Sequence, residues 1–259
     1  MTSPLSPYWS NERIFAMKLT MAALTNTGRV RQNNEDAVYA DVRDRVAVVC
    51  DGMGGHAGGH VASDLAVQVI SGALHRLRPQ DWRDESAVVE SVKQAIFGAN
   101  DHILARAQAD PELFDMGTTV VVCAFMFDRV ITANVGDSRI YRVADHAIEQ
   151  VSSDHSLVAE RVRAGLLDPH SAEAAMLANI ITRALGMEQI TVDITIEDLR
   201  PGDTYLLCSD GLCDMLEDDE ILAIIDRAES LDSAVVALID GANARGGVDN
   251  ITAALIKAD

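Results

Sequence analysis

The sequence VVCDGMGGHAGGH, residues 48–60, runs from an apolar stretch into a loop in which five of the ten residues from Asp51 to His60 are glycine. Glycine at this density indicates a backbone that turns sharply or approaches another group closely. A phosphate-binding loop is disfavoured because no Lys-Ser or Lys-Thr follows, and the dinucleotide fingerprint GxGxxG is not in register. Of the three alternatives, a nucleotide phosphate, a metal ion and a plain turn, the nucleotide has the least support.

Carboxylates recur at the ends of other apolar runs. One Asp-Gly at such a position is most often a turn. Here the ends of runs carry Asp51-Gly52, Gly136-Asp137, Asp210-Gly211 and Asp249, and a polar turn carries Arg31, Glu35 and Asp36. Gathered carboxylates repel one another unless cations lie between them, and oxygen ligands suit Mg²⁺ or Mn²⁺ better than zinc. Spacing alone leaves a metal cluster and a set of independent turns both open.

The composition and charge disfavour a nucleic-acid-binding protein and a membrane protein. The chain of 259 residues has 40 acidic and 21 basic residues and a formal net charge of −19. Without a basic cluster this charge disfavours nucleic acid as a partner. No run approaches the ~18 apolar residues of a membrane span, and the segment IFAMKLTMAAL, interrupted by Lys18, alternates as a strand rather than as a signal peptide. We therefore expect a cytoplasmic protein.

The four cysteines agree with that compartment. Cys50, Cys123 and Cys208 lie within apolar, strand-like runs, and no CxxC pair occurs in the sequence. Buried, reduced thiols are the expected state, with a disulfide or a metal site as the alternative.

The order of strand-like and helical runs predicts an α+β fold. Strands arrive in groups and helices in pairs, without strict βαβ alternation, which favours mainly antiparallel sheets covered by helices. We predict helices over 61–77, 88–103, 154–178 and 218–242, with Asp168-Pro169 as a cap inside the third. Residues 1–14 are expected to form a loose tail, and 15–259 a single domain.

Eight segments carry a resemblance over about residues 15–257. They are RVRQNNEDAV, VVCDGMGGHAGGHVAS, GTTVVVCAF, ANVGDSRIYRV, SDHSLV, ITRALG, LLCSDGLCDML and GVDNITAALI. In order and separation they resemble the metal-dependent Ser/Thr protein phosphatases of type 2C, the PPM class, and in particular its compact bacterial members. The resemblance implies two antiparallel β-sheets packed as a sandwich and flanked by helix pairs, a four-layer α-β-β-α arrangement.

The resemblance also implies a role for each polar residue singled out above. Two or three Mn²⁺ or Mg²⁺ ions are expected, with Asp51 bridging two of them and the Gly52 carbonyl binding one. Asp210 and Asp249 would bind the same pair, and Asp137 with Asp210 a third ion. Glu35 and Asp36 would hold metal-bound waters, Asp36 touching the nucleophile, and Arg31 would hold the substrate phosphate. The implied reaction is direct attack of a metal-activated water on phosphoserine or phosphothreonine, without a covalent intermediate.

The chain departs from many eukaryotic members at one position. Those members have a histidine, proposed as a general acid, directly after the Asp-Gly, where this chain has Met53. His56 is a weak substitute; His60 is expected to begin a helix, and His155 to anchor a helix start beside Asp154. Residues 160–185, with Gly165 as a hinge, fall where bacterial members carry a mobile flap, and a packed helical insertion is the alternative.

The implied partners are phosphorylated Ser/Thr proteins that a bacterial Ser/Thr kinase produces, in circuits that include control of secretion machinery. Neither a nucleic acid nor a membrane is expected as a partner. Two rival functions are a catalytically weak regulatory or binding module and a metal phosphohydrolase of small molecules or nucleic acid, of which the acidic charge disfavours the nucleic-acid version. The presence of Asp51, Asp210 and Asp249 counts against the regulatory module.

Overall fold

Two antiparallel sheets form the centre of the molecule, for which the computed structural model describes residues 17–55, 58–178 and 180–259. The first sheet has the order β1 (Leu19–Asn26), β11 (Ile251–Ala258), β10 (Thr204–Cys208), β7 (Arg139–Ala144) and β8 (Ala147–Gln150). The second has the order β2 (Asp36–Asp41), β3 (Val46–Met53), β5 (Val120–Phe125), β6 (Arg129–Val135) and β9 (Asp193–Asp198), with β4 (Gly117–Thr118) paired to β3. The predicted tail, residues 1–14, lies outside the described residues.

Helices cover both outer faces of the sheets. Helices α1 (Gly58–Leu74) and α2 (Glu85–Ala109) pack on the second sheet, and α5 (Asp210–Cys213), α6 (Asp218–Arg227) and α7 (Leu231–Ala244) pack on the first. Helices α3 (Leu157–Arg163) and α4 (Ala172–Leu177) lie on the connection between β8 and β9. The predicted α+β fold, an α-β-β-α sandwich with antiparallel sheets, is confirmed.

Strand β3 shows why the run before the glycine loop is apolar throughout. Val46, Val48 and Cys50 face the core beneath α1 and α2, and Ala47 and Val49 face the core between the sheets. A strand buried on both faces needs apolar residues at every position rather than at alternate ones. The run therefore places Asp51 at the first position where the chain leaves the core.

Two predicted helices are each divided in the structure. The range 154–178 contains α3 and α4, which begin at the N-caps Ser156 and Ser171, so the prediction of Asp168-Pro169 as a helix cap is wrong. The range 218–242 is interrupted where Ser230 caps α7 through a capping box with Ser233. A serine that satisfies free backbone N–H groups starts a new helix in spite of continuous apolar periodicity.

The four cysteines are all unpaired in the described residues, as predicted; three are buried and Cys213 is half-buried. No helix in the described parts of the chain has the length and apolar character needed to cross a membrane.

Candidate metal and phosphate site

The register of β2 and β3 places two of the predicted carboxylates side by side, since Asp36 pairs with Asp51. The backbone of Asp51 is held by its neighbours: its N–H donates to Thr119 Oγ1 at 3.0 Å, and its carbonyl accepts from Thr118 Oγ1 at 2.9 Å. The carboxylate therefore leaves a fixed point at the end of a buried strand.

Asp36 is the most buried of these carboxylates, with 5% of its surface exposed. Its Oδ2 accepts from Ser209 Oγ at 2.8 Å and from Thr252 Oγ1 at 2.7 Å. These two hydroxyls belong to the other sheet, so Asp36 ties the two sheets together. Burial, opposed in part by these two bonds, raises the pKa of Asp36 to about 7.

Ser209 and Thr252 were missed by sequence reasoning. Ser209 Oγ also accepts the Thr252 N–H at 3.0 Å, so the pair joins the end of β10 to the start of β11. The available signal was a hydroxyl residue at the end of one apolar strand and another near the start of the next. Nothing in that pattern names Asp36 as the shared partner.

Asp210, at the end of β10 in the other sheet, and Asp137, on the connection from β6 to β7, complete the carboxylate group. Asp210 is the first residue of α5, directly after β10, and its charge acts on the carboxylate of Asp51. Burial, reinforced by neighbouring carboxylates, raises the pKa of Asp210 to about 6 and that of Asp137 to about 7. Burial and the charge of Asp36 raise the pKa of Asp51 well above its usual value. The group is thus crowded with charge that the described protein atoms do not neutralise.

Asp249 and Arg31 form the exposed edge of the site. Arg31 Nη2 lies 2.7 Å from Asp249 Oδ2, and the two side chains are 54% and 31% exposed. Asn250, another residue without a predicted role, positions this edge: its Oδ1 accepts the Glu35 N–H at 2.8 Å, and its Nδ2 donates to the carbonyls of Thr27 and Asn33, each at 2.9 Å. A guanidinium held at the rim by one carboxylate keeps other N–H groups free for a phosphate.

Glycines after β3 let neighbouring backbone segments pack closely against one another. A Cβ at Gly52 would lie 2.1 Å from the Gly59 carbonyl oxygen and 2.6 Å from that of Glu35. A Cβ at Gly59 would lie 2.6 Å from Glu35 Oε2. The end of β3, the turn carrying Glu35 and the first turn of α1 therefore meet where no side chain fits, and His60 lies in that first turn as predicted.

The donor set fits hard divalent cations. Asp36 Oδ1 and Asp210 Oδ1 are buried and have no hydrogen-bond partner among the described residues. A group of three or more His, Cys, Asp or Glu side chains arranged to hold one ion is not found in residues 17–55, 58–178 and 180–259. Mg²⁺ and similar ions are nevertheless bound through one or two carboxylates, with waters completing the shell. Unpartnered buried carboxylate oxygens with raised pKa values are the chemistry that such an ion neutralises.

Two further residues singled out in the sequence lie at or near this group. The Glu35 carbonyl accepts from Gly52 N–H at 3.1 Å and from Ser63 Oγ at 2.5 Å, and the charge of its carboxylate acts on Arg31. Met53 pairs with Gly117 at the end of β3, and its side chain has no proton to donate. His56 lies outside the described residues.

His155 lies beside Asp154 and directly before Ser156, the N-cap of α3, and its side chain makes further contacts. The buried imidazole accepts the Gly136 N–H at Nδ1, 3.1 Å away, and its Nε2 lies 3.1 Å from Asp193 Oδ2. Burial lowers the pKa of His155, which favours the neutral ring that this pattern requires. His155 therefore supports the turn that presents Asp137.

The predicted flap is anchored at its base. Leu157 N–H donates to the Ile180 carbonyl at 2.8 Å, and Thr182 N–H donates to the His155 carbonyl at 2.8 Å. Gly165 has φ +69° with no described atom within 4 Å of a Cβ at that position. A cavity of about 280 Å³ between this segment and the site is lined by residues that include Asp137, Val158, Asp210 and Cys213.

We expect the metal-free protein to lose stability as pH rises from about 4 to about 7. The folded-state pKa values of Asp36, Asp137 and Asp210 lie above 3.8, so their contribution is fully present below pH ~4 and is lost on ionisation. Urea unfolding with a chelator should give a free energy of unfolding lower by roughly 6 kcal/mol at pH ~7.5 than at pH ~5 if the three groups act independently, although His155 opposes the trend. Mn²⁺ should remove most of the difference; a metal-free protein that is more stable at the higher pH contradicts the prediction.

Comparisons with known proteins agree over nearly the whole chain. The family described as Protein phosphatase 2C matches residues 26–238. The serine/threonine phosphatase stp of Listeria monocytogenes serovar 1/2a is 36% identical over 245 residues, 91% of this chain and 94% of the relative. The crystal structure of the Mycobacterium tuberculosis serine/threonine phosphatase PstP/Ppp has a TM-score of 0.85 at 33% identity, covering 92% of this chain and 98% of that one. The PstP catalytic domain in complex with two manganese ions has a TM-score of 0.83 at 33% identity, covering 93% and 99%.

Proposed function

Because this chain belongs to the protein phosphatase 2C family of metal-dependent Ser/Thr phosphatases, we propose the following roles for its residues in the hydrolysis of phosphoserine and phosphothreonine. Arg31 holds the substrate phosphate at the rim of the site. Asp51, the Gly52 carbonyl, Asp210 and Asp249 hold two Mn²⁺ or Mg²⁺ ions, and Asp137 with Asp210 holds a third. Glu35 and Asp36 hold waters of the metal shell.

One observation carries this assignment. Carboxylates from both sheets, Asp51 and Asp36 from one and Asp210 from the other, meet with buried unpartnered oxygens beside an arginine that remains open to solvent. Divalent cations bound there lower the pKa of a coordinated water and offset the negative charge of the phosphoryl transition state.

The protein's own residues orient the reaction. Asp36 is fixed by Ser209 and Thr252 through Oδ2, which leaves Oδ1 to accept a hydrogen bond from the attacking water. Arg31 orients the phosphate by charge-assisted hydrogen bonds. Met53 cannot protonate the leaving alkoxide, because a thioether has no acidic proton.

The assignment is tested by hydrolysis of a phosphothreonine peptide with Mn²⁺ and with an excess of chelator. We expect turnover that requires the metal, and far slower turnover of a nucleotide monoester. A protein that binds Mn²⁺ without turning over the peptide would instead be a regulatory module.

Replacing Arg31 with lysine should raise the KM for the peptide by about tenfold, because an ammonium is a point charge without the planar fork of guanidinium. Steady-state kinetics on the peptide measure this. Arg43→Lys is the control, since Arg43 is also paired with an aspartate, Asp41, but in the exposed turn between β2 and β3. Equal effects of the two changes would remove Arg31 from the phosphate site.

We also propose limits for the catalytic domain, a flap beside the site and a cellular context for the substrates. Residues 15–259 form one catalytic domain, and 160–185 act as a flap over the cavity beside Asp137. Substrates are phosphoproteins made by a bacterial Ser/Thr kinase in the cytoplasm, where four unpaired cysteines stay reduced. The bacterial phosphatases that the chain resembles support this context.

A further inference from the structure

Two apolar side chains are exposed directly beside the proposed phosphate-binding edge. Val30 precedes Arg31 and is 64% exposed, and Val248 precedes Asp249 and is 49% exposed. Single exposed apolar residues need no explanation. These two differ because each is the chain neighbour of one partner in the Arg31–Asp249 ion pair.

The two loops that carry these valines are fastened to each other. Arg29 N–H donates to the Gly247 carbonyl at 2.7 Å, and Val30 N–H donates to the same oxygen at 3.3 Å. Arg29 Nε donates to the Asn243 carbonyl at 2.8 Å. Because Val30 is bonded to the residue that precedes Val248, the two side chains leave neighbouring points of one paired surface.

Glycines make this close pairing possible. Gly28 has φ +78°, and a Cβ there would lie 2.1 Å from the Asp249 carbonyl oxygen. Gly247 has φ +51°, and a Cβ there would lie 3.1 Å from Arg29 N. The valines are therefore displayed by a pre-formed surface, which avoids part of the ordering cost on binding.

We propose that Val30 and Val248 form an apolar subsite for the side chain of a substrate residue adjacent to the phosphorylated one. The proposal rests on the proposed role of Arg31 as the phosphate-binding residue. A phosphate held by Arg31 brings the neighbouring substrate residues against the surface that continues from Arg31 and Asp249. The occupant that this surface stabilises is an aliphatic side chain, because the valines offer no hydrogen-bond partner and a polar side chain would lose its hydration.

The expected size of the effect follows from partial burial of one side chain. A flanking leucine that covers both valines should be preferred over an asparagine of similar shape by about tenfold in kcat/KM. Replacing either valine by threonine keeps the shape but exchanges a methyl for a hydroxyl, which should lower the preference about threefold to fivefold.

The test measures kcat/KM for phosphothreonine peptides in which the residue on one side, and then on the other, is leucine or asparagine. The Leu/Asn ratio is compared in the intact protein and in the Val30→Thr, Val248→Thr and double variants. Val236→Thr is the matched control, because Val236 is 47% exposed on α7, away from the two loops. A ratio cancels any general loss of activity, so a structural defect does not imitate the result.

A Leu/Asn ratio near ten that falls toward one in the double variant, and is unchanged in Val236→Thr, supports the subsite. The subsite proposal is overturned if the intact protein turns over both peptides with a Leu/Asn ratio near one. It is also overturned if the ratio is high and stays high in the double variant. Failure of the proposed phosphate site has a different signature, because Arg31→Lys would then leave the KM for both peptides unchanged.

Discussion

Asp51→Asn is expected to lower kcat on a phosphothreonine peptide by a factor on the order of 10³ or more at saturating Mn²⁺, because the carboxylate that we propose to hold the ions would contribute several kcal/mol through them. The same change should raise the stability of the metal-free protein. Burial, reinforced by the charges of Asp36 and Asp210, raises the pKa of Asp51, and an uncharged amide would avoid both of these costs. A variant that loses activity but gains metal-free stability would show that the residues of the binding site destabilise the folded protein in the absence of metal.

Peptide kinetics and urea unfolding with chelator measure the two effects on the same preparations. Asp101→Asn, at an exposed position on α2, should change neither. An Asp51→Asn protein that keeps a tenth or more of the parent kcat would contradict the proposed metal-binding role of this residue.

Gly52→Ala is expected to destabilise the protein by about 3 kcal/mol or more and to abolish activity. The added methyl would lie 2.1 Å from the Gly59 carbonyl oxygen, and this atom belongs to backbone rather than to a flexible side chain. The end of β3 and the first turn of α1 would have to separate, which displaces Asp51 and Glu35 together.

Gly72→Ala in α1 provides the matched control. No described atom lies within 4 Å of a Cβ there, so the change should stabilise the helix by roughly 0.5–1 kcal/mol without affecting kcat. Urea unfolding measures the free energy of unfolding of both variants, and peptide turnover measures their kcat. A folded, active Gly52→Ala protein would mean that the loop tolerates the separation.

The fold could be predicted from the sequence where a run of consecutive apolar residues reveals a segment that is buried on both faces. Val46 to Cys50 lie between two cores, so their uninterrupted apolar character marked a central strand and the place where it ends. Divided helices were not predictable from periodicity, because Ser171 and Ser230 start new helices by local capping while the apolar pattern continues. Caps act over three residues, and periodicity averages over many more.

The candidate site divides in a similar way. The sequence shows which carboxylates lie at the ends of apolar runs, namely Asp51, Asp137, Asp210 and Asp249. It does not show that these side chains lie close together in the folded protein. Convergence depends on strand order: β3 and β10 lie in different sheets. The Asp36 bonds to Ser209 and Thr252 depend on the same packing, and no local pattern encodes it.

The meeting of the two sheets at the carboxylates gives the proposed ions a mechanical role. Asp36 and Thr252, 216 positions apart in the sequence, are already joined across the sandwich. Ions held between Asp51 and Asp210 would add a removable cross-link at the same end, opposing the repulsion that otherwise pushes the sheets apart. Metal binding would then cross-link the two sheets reversibly. The end of the sandwich that carries Asp51 and Asp210 would become more rigid when manganese or magnesium is available and less rigid when it is not.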